Sequence, residues 1–317
     1  MKKIIALTLV VLMLLGLAAC GGNADDGKYT IGICQLVTHD ALDAATNGFM
    51  QAVKDKLGEE NVEFDLQNAA GDSNTCASIA NAFVSAEVDL IMANATPALQ
   101  NAAAATADIP ILGTSVTEYG VALEIKDFTD TVGGNVSGTS DLAPLDEQAD
   151  MLQAWFPDAK NVGMIYCSAE PNSKYQVDTM KKLLEGKGYS CEFFAFADSN
   201  DMQAVVNGAC EFADVIYVPT DNAVASSVDI IDSICRAAGI PIIAGEEGIC
   251  AGCGVATLSI SYYDLGYTTG EMAAKILKGE SDISTMKIEY APAVKKYNPV
   301  ICEALGLTAP EGYVAIG

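Results

Sequence analysis

The chain has 317 residues, of which 50% are hydrophobic and 19% charged, and its formal net charge is −25 at pH 7. This composition is that of a globular protein long enough to form two lobes with complete cores. A surface this acidic repels phosphate backbones, which argues against a nucleic-acid partner, and it is typical of a soluble, exported protein.

The N-terminal segment carries the features of an export signal. Lys2 and Lys3 precede an apolar run of 16 residues, 4–19, which is short for a membrane-spanning helix. The run ends in Leu17-Ala-Ala-Cys20, which resembles the bacterial lipobox. We therefore expect residues 1–19 to be a lipoprotein signal peptide, Cys20 to be lipidated, and residues 20–28 to form a flexible tether. The alternative is an ordinary signal peptide in which Cys20 stands at this position by chance.

From Tyr29 onward, the hydrophobic pattern predicts strands that alternate with helices. The predicted strands of the first half are 29–36, 62–67, 88–93, 109–112 and 136–141, and its helices are 40–57, 75–85 and 97–106. Repeated βα units of this length predict a parallel, doubly wound sheet whose ligand-binding loops follow the carboxyl ends of the strands.

The second half repeats this pattern. Its predicted strands are 161–167, 190–196, 214–218 and 240–244, and its helices are 172–186, 201–212 and 223–238. Gly32 and Gly163 are 131 positions apart, as are Pro110 and Pro241, which indicates an internal duplication. The remaining tail is too short for a third lobe and is expected to cross between the first two.

The predicted fold class is therefore α/β, with two Rossmann-like doubly wound lobes joined by three hinge crossings near 141, 262 and 289. The expected first lobe comprises residues 29–141 plus 263–288, and the expected second lobe comprises 142–262 plus 289–317.

The loops after the strands supply the candidate ligand-binding residues. Their hydroxyl, amide and carboxylate groups are suited to hydrogen-bonding a small polar ligand in a cleft between the lobes. The first lobe contributes Gln35, Asn94, Thr96, Ser115, Thr117 and Asp141. The second lobe contributes Glu170, Asn172, Ser173, Thr220, Asp221, Asn222 and Glu246.

Motifs for catalysis, metal binding or a cofactor are weak or missing in the sequence. His39 is the single histidine. Cys250 and Cys253, which we expect in a glycine-rich loop, have metal-ligand spacing but no second cysteine pair to complete a metal site. No Gly-x-Gly-x-x-Gly segment follows the first strand. We therefore expect no enzymatic activity, no metal and no cofactor. Asp221 and Glu246, as a carboxylate pair for glycoside chemistry, are the enzymatic alternative.

The lipobox, the tether and the two matched lobes resemble the type I periplasmic-binding-protein fold. Within that fold, several segments resemble one family of ABC-transporter substrate-binding proteins over residues 29–306. These segments are Ala41-Leu-Asp-Ala44, Gln67-Asn-Ala69, Ala95-Thr-Pro-Ala98, residues 134–142, Tyr217-Val-Pro-Thr-Asp-Asn222 and Ala244-Gly-Glu-Glu-Gly248. The chain departs from the family at Tyr119, where proline is common.

This resemblance implies a receptor anchored by lipid to the extracytoplasmic face of the bacterial membrane. Such receptors bind a ligand in a hinge-closing cleft, act as monomers and deliver the ligand to an ABC permease and its ATPase. Members with assigned ligands are associated with aromatic amino acids, notably tryptophan. The family's binding segments correspond here to Thr220, Asp221, Asn222, Glu246 and Glu247.

The charged residues constrain the ligand further. Arg236 is the single arginine and lies in a predicted helix, so a guanidinium clamp for a carboxylate is not expected. A ligand carboxylate would then bind hydroxyls and helix N-termini, whereas Asp141, Asp221 and Glu246 are available for an ammonium group. The sequence therefore favours a zwitterion, and with the resemblance an aromatic or other hydrophobic amino acid. A sugar or nucleoside receptor of the same fold is the alternative, although Tyr119 is the one clear aromatic of these loops. Trp155 and Phe156 are expected in the core.

Overall fold

The computed structural model describes residues 27–316, which form two α/β lobes with one parallel sheet at the centre of each. The predicted α/β fold with two Rossmann-like lobes is confirmed. The predicted signal peptide, Cys20 and most of the predicted tether lie outside the described residues. No helix within residues 27–316 combines the length and the apolar character needed to cross a membrane.

The first lobe is built on five parallel strands in the order β5-β4-β3-β1-β2. They are β1 (Tyr29–Gln35), β2 (Val62–Asn68), β3 (Leu90–Asn94), β4 (Ile111–Val116) and β5 (Val136–Ser140). Its helices are α1 (Asp40–Leu57), α2 (Ser73–Ser85), α3 (Thr96–Ala105) and α4 (Tyr119–Ala122), with a 3₁₀ turn at Glu59–Asn61. Every residue of β3 and β4 is buried, as expected for central parallel strands covered by helices on both faces.

The second lobe repeats this order as β10-β9-β8-β6-β7, which agrees with the predicted duplication. Its strands are β6 (Asn161–Cys167), β7 (Ser190–Phe196), β8 (Val215–Val218), β9 (Ile242–Ala244) and β10 (Ala256–Ser259). Its helices are α5 (Leu145–Trp155), α6 (Pro171–Gly186), α7 (Ser199–Phe212), α8 (Asn222–Ala225), α9 (Val228–Ala238) and α10 (Glu247–Cys253).

Two details of the second lobe differ from the sequence prediction. The single helix predicted at 223–238 is divided into α8 and α9, because Ser226 and Ser227 interrupt it and the Ser226 hydroxyl donates to the carbonyl of Ala223 at 3.1 Å. Cys250 and Cys253 were expected in a glycine-rich loop but lie in α10, where both side chains are buried.

The tail crosses between the lobes, as predicted. Helix α11 (Tyr262–Leu277) packs on α1 of the first lobe, and strand β11 (Glu289–Tyr290) extends the first sheet beside β5. Strand β12 (Val294–Tyr297) then pairs antiparallel with β10 of the second sheet. Helix α12 (Pro299–Ala304), strand β13 (Val314–Ala315) and a 3₁₀ turn at Ile283–Thr285 complete the chain. The pairing of β11 favours a third crossing after Tyr290, slightly beyond the expected lobe boundary at 288.

Helices α1 and α11 pack at backbone contact distance because glycines face each other's main chain. A Cβ atom at Gly266 would lie 1.9 Å from the carbonyl oxygen of Ala45, and one at Gly48 would lie 2.1 Å from the carbonyl oxygen of Tyr263. This close contact fixes the start of α11, and with it Tyr262, against the first lobe.

Candidate functional site

The carboxyl ends of the two sheets face each other across a cleft. At its centre is a cavity of about 10 Å³, roughly the space for one water molecule. From the first lobe it is lined by His39, Leu42, Ser115, Thr117 and Asp141, and from the second by Asn172, Thr220, Asp221, Asn222, Ala225 and Glu246, with Tyr262 at the crossing. A site for a small organic ligand usually encloses about 300–1,000 Å³, which is far larger than this cavity.

Most of the residues predicted from the sequence line this cavity. Five of the predicted residues do not line the cavity, namely Gln35, Asn94, Thr96, Glu170 and Ser173. All of these side chains are buried beside the cleft. The sequence prediction omitted His39, Leu42, Ala225 and Tyr262, which do line the cavity. The position of His39 and Leu42 just after β1 could have identified both of them from the sequence as residues near the cleft.

Gln35 and Asn94 form a hydrogen-bond network inside the first lobe. The hydroxyl of Thr46 donates to the Gln35 side chain at 2.7 Å, and Asn94 Nδ2 donates to Thr46 Oγ1 at 3.0 Å. Asn94 Nδ2 also donates to the carbonyl of Leu42 at 2.8 Å. The network thereby positions Leu42 at the cavity. Thr96 is buried in the first turn of α3.

Glu170 holds the turn that precedes α8. Its carboxylate accepts hydrogen bonds from the backbone N–H groups of Asn222 (3.1 Å) and Ala223 (2.9 Å) and from Nδ2 of Asn222 (2.7 Å). Beneath the same turn, the hydroxyl of Ser173 lies 3.4 Å from the carbonyl oxygen of Thr220. Glu170 and Ser173 therefore hold the turn of the site in place without lining the cavity themselves.

Asp221 caps α8 and ties its turn to the end of β6. Oδ1 accepts from the N–H of Val224 at 2.9 Å, and Oδ2 accepts from the N–H of Cys167 at 2.7 Å. Burial, with the nearby Glu170 carboxylate, raises the pKa of Asp221 to about 7. Because backbone donors already occupy both oxygens, less of this carboxylate is available to a ligand than the sequence suggested.

Glu246 has an equivalent role at α10. Its two carboxylate oxygens accept from the backbone N–H groups of Gly248 (2.6 Å) and Ile249. Burial raises the pKa of Glu246 to about 7 in spite of these hydrogen bonds. The neighbouring Glu247 faces the outer rim of the cleft, where it forms an ion pair with Lys296 at 2.5 Å.

Asp141 is arranged differently. Its Oδ2 accepts a hydrogen bond from the hydroxyl of Tyr262 at 3.0 Å, whereas its Oδ1 is buried without a hydrogen-bond partner among the described residues. Burial raises the pKa of Asp141 to about 6, although the neighbouring hydroxyls of Thr117 and Tyr262 act in the opposite direction. Oδ1 of Asp141 can therefore accept a hydrogen bond from a group in the cavity.

Two further polar atoms of the cavity lining are buried without a partner among residues 27–316, namely Ser115 Oγ and Asn172 Oδ1. Ser115 adopts φ 53°, an uncommon backbone conformation for a residue other than glycine. The Nδ2 of Asn172 donates to Glu170 at 3.1 Å and to the carbonyl of Thr220 at 3.2 Å, which determines the orientation of its amide. Together with Asp141 Oδ1, these atoms give the cavity an unsatisfied set of acceptors.

The lobes also touch across the cleft. His39 Nε2 lies 3.3 Å from Oδ1 of Asn222, and burial lowers the pKa of this histidine. No lysine or arginine is part of the described cavity lining.

The aromatic residues considered from the sequence belong to the core. Tyr119 is buried and donates its hydroxyl to the carbonyl of Thr139 at 3.0 Å, so it does not reach the cavity. Trp155 packs edge-on against Tyr313 in the core of the second lobe, with Phe156 beside it, as expected.

The two cysteines with metal-ligand spacing are buried thiols. Cys250 donates to the carbonyl of Gly254 and Cys253 to that of Ile249, and burial raises the pKa of both. The described part of the chain contains no group of three or more His, Cys, Asp or Glu side chains arranged to hold a metal ion.

Comparison with known proteins identifies relatives of the chain. Residues 30–314 match the model of the family described as ABC transporter substrate binding protein. The chain is 39% identical to a tyrosine-binding protein of Clostridioides difficile (strain R20291) over 292 residues, which is 89% of this chain and 84% of the relative.

Two solved structures are similar over 91% of this chain. One is an ABC domain from Streptococcus pneumoniae in complex with L-Trp, with a TM-score of 0.86 at 31% identity and 100% of its chain covered. The other is the ligand-free, open structure of a Clostridium difficile substrate-binding protein with adhesive properties, with a TM-score of 0.70 at 40% identity and 99% of its chain covered. The structure is therefore more similar overall to the L-Trp complex than to the open relative, although the latter has the higher sequence identity. The small cavity and the contact between His39 and Asn222 agree with a closed cleft.

Proposed function

The chain belongs to the ABC transporter substrate-binding protein family, and from this premise we propose that it is a receptor that binds an aromatic amino acid in its inter-lobe cleft. A tyrosine-binding relative and a relative in complex with L-Trp support this ligand class. The family serves transport outside the cytoplasm and is not an enzyme family. The receptor would be monomeric, anchored by lipid at Cys20, and would pass its ligand to an ABC permease and its ATPase.

One observation carries the ligand proposal. Ser115 Oγ, Asp141 Oδ1 and Asn172 Oδ1 are buried, unpartnered and part of the same cavity lining. An α-ammonium group has three N–H donors, and these atoms offer three acceptors, one of them on a carboxylate. We propose that this set binds the ammonium group and that Asp141 supplies its counter-charge.

Asp221 and Glu246 act mainly as supports in this proposal. Each carboxylate binds the N-terminus of a short helix that borders the cleft, so each holds a wall of the site in place. Thr220 and Asn222, on the turn that Asp221 caps, remain proposed ligand contacts. The engagement of Asp221 and Glu246 with backbone donors also disfavours a catalytic carboxylate pair, and we propose no catalysis.

The absence of cations from the described cavity lining restricts the ligand's anionic groups. A single α-carboxylate can be accommodated by hydroxyl and backbone donors, whereas a phosphate or a dicarboxylate would meet Asp141, Asp221 and Glu246 without a compensating charge. The site therefore favours a zwitterion over phosphate esters and di-anions.

Binding would proceed by opening and closing of the cleft. The cavity of about 10 Å³ is too small to hold an amino acid, so the ligand-bound cleft must be wider than the cleft of this structure, and the ligand enters when the lobes part at the crossings. Closure around the ligand would bring His39 of the first lobe towards Asn222 of the second. The closed form would be the state that the permease recognises.

Calorimetry with matched ligands tests this proposal. Tyrosine, tryptophan and phenylalanine would be compared with a nucleoside, a hexose, tyramine (which lacks the carboxylate) and 3-(4-hydroxyphenyl)propionate (which lacks the ammonium). We expect an aromatic amino acid to bind most tightly, and loss of the ammonium to weaken binding more than loss of the carboxylate. Tight binding of the hexose or nucleoside, without amino-acid binding, would contradict the proposal.

A further inference from the structure

Two cysteines lie side by side where α7 and α9 of the second lobe pack against each other. Cys210 is near the end of α7 and Cys235 is near the end of α9, and their sulfur atoms are 3.6 Å apart. All nine cysteines of the described part are free thiols, and Cys210 is the one among them that is not fully buried. A disulfide bond requires about 2.05 Å between the sulfurs, so the two side chains must rotate towards each other before they can bond.

The chain between these cysteines includes part of the ligand-binding cleft. It comprises β8, α8 and the turn of Thr220, Asp221 and Asn222. A covalent link between Cys210 and Cys235 would join the two ends of this segment. Because a cross-link restricts the unfolded chain, it would stabilise the segment that presents the turn without adding any group to the cleft.

We propose that Cys210 and Cys235 form a reversible disulfide when the protein meets a small disulfide oxidant such as oxidised glutathione. The thiolate of Cys210, which is the more accessible, attacks one sulfur of the oxidant and releases one reduced thiol, leaving a mixed disulfide. The thiolate of Cys235 then attacks the Cys210 sulfur and releases the second reduced thiol. The two protein thiols lose two electrons in total, and the oxidant gains them.

Burial sets the rate of this exchange. It raises the pKa of both thiols above the ordinary value, so the reactive thiolates are scarce at neutral pH. The exchange should therefore accelerate as the pH rises. A second close pair, Cys34 and Cys76, is completely buried in the first lobe and should react much later, which makes it an internal reference.

Peptide mapping tests the proposal. The purified protein would be incubated with oxidised glutathione, its remaining thiols alkylated, and the sample digested without reductant for mass spectrometry. We expect a peptide pair that links Cys210 to Cys235, its disappearance after reduction, and no link between Cys34 and Cys76 at the same time point. The melting temperature should rise by about 5–10 °C on oxidation.

Single variants supply the controls. C235S should retain glutathione on Cys210, because no resolving thiol is present, and C210S should show neither a link nor a rise in melting temperature. Both serine variants should bind ligand as the parent does, since neither side chain lines the cleft. Absence of the linked peptide after oxidation of the folded protein would overturn the proposal, as would earlier linkage of Cys34 to Cys76.

Discussion

The hydroxyl of Tyr262 donates to Oδ2 of Asp141 at 3.0 Å, while Oδ1 of the same carboxylate is buried without a hydrogen-bond partner among the described residues. Tyr262 begins α11, which packs on α1 of the first lobe, and Asp141 directly follows β5. The start of α11 and the proposed ammonium site are therefore linked by one hydrogen bond.

Asp141→Asn should weaken the binding of an aromatic amino acid by about 10- to 100-fold, because the ammonium loses its counter-charge and the amide oxygen that remains is a weaker acceptor than a carboxylate. Asparagine has nearly the same shape, so the fold should be retained. Calorimetry measures the effect, and Asp146→Asn, at an exposed residue of α5, is the matched control. Equal affinities of the Asp141 variant and the parent would remove Asp141 from the site.

Asp221→Ala should also weaken binding, by tens-fold, and should lower the free energy of unfolding by about 1–2 kcal/mol. The variant loses the cap of α8 and the hydrogen bond to Cys167 that holds the ligand-binding turn. Chemical denaturation and calorimetry on the same sample separate the two effects. An unchanged affinity would show that neither Asp221 nor the turn that it holds matters for the ligand.

The stability of the ligand-free protein should fall as the pH rises from about 4 to about 7. Burial raises the pKa of Asp141 to about 6 and of Asp221 and Glu246 to about 7, so the folded state holds protons that the unfolded state, with ordinary values of about 4, has released. His39, whose pKa is lowered, acts in the opposite direction below its ordinary value. Urea denaturation across this range measures how steeply the free energy of unfolding changes with pH, and this dependence should be weaker in Glu246→Gln. An equal dependence in this variant would contradict the raised pKa of Glu246.

Ligand affinity should have the opposite pH dependence. An ammonium group binds the ionised form of Asp141, so affinity should decline as the pH falls through about 6. Calorimetry from pH 5 to pH 8 would record the decline, and Asp141→Asn should bind weakly at every pH. A parent affinity that rises on acidification would argue against an ammonium at this carboxylate.

His39→Ala should weaken binding by a few-fold, since removing a neutral hydrogen bond between the lobes favours the open form. X-ray scattering should detect a larger radius of gyration at the same ligand concentration. Asn222 is also held by Glu170, so the second lobe should keep its local structure. An unaltered affinity and radius would mean that the contact does not contribute to closure.

Gly266→Ala should destabilise the protein by about 1–3 kcal/mol, because the added methyl group meets the carbonyl of Ala45 and pushes α11 from α1. Gly186→Ala is the matched control, since a Cβ atom there has no neighbour within 4 Å. Thermal unfolding compares them. If both variants melt alike, the close helix contact is not required.

Much of the fold was predictable because it depends on local patterns. Apolar runs such as 214–218 that lead into polar turns predict parallel strands, and the repeated spacing of Gly32 with Gly163 predicts two similar lobes. Since the loops of a parallel sheet gather at the carboxyl ends of its strands, the sequence also indicated most of the cavity lining. The lobe boundaries, the ligand contacts and the lipid anchor stay predictions.

The role of each carboxylate was decided by the tertiary structure alone. In the sequence, Asp141, Asp221 and Glu246 are equivalent acids after strands. In the folded chain, backbone N–H groups occupy Asp221 and Glu246, whereas Tyr262, distant in sequence, engages one oxygen of Asp141 and leaves the other at the cavity. Strand and helix patterns follow from the periodicity of neighbouring residues. The partners of a buried polar atom depend on which distant segments pack around it, and no local pattern specifies that.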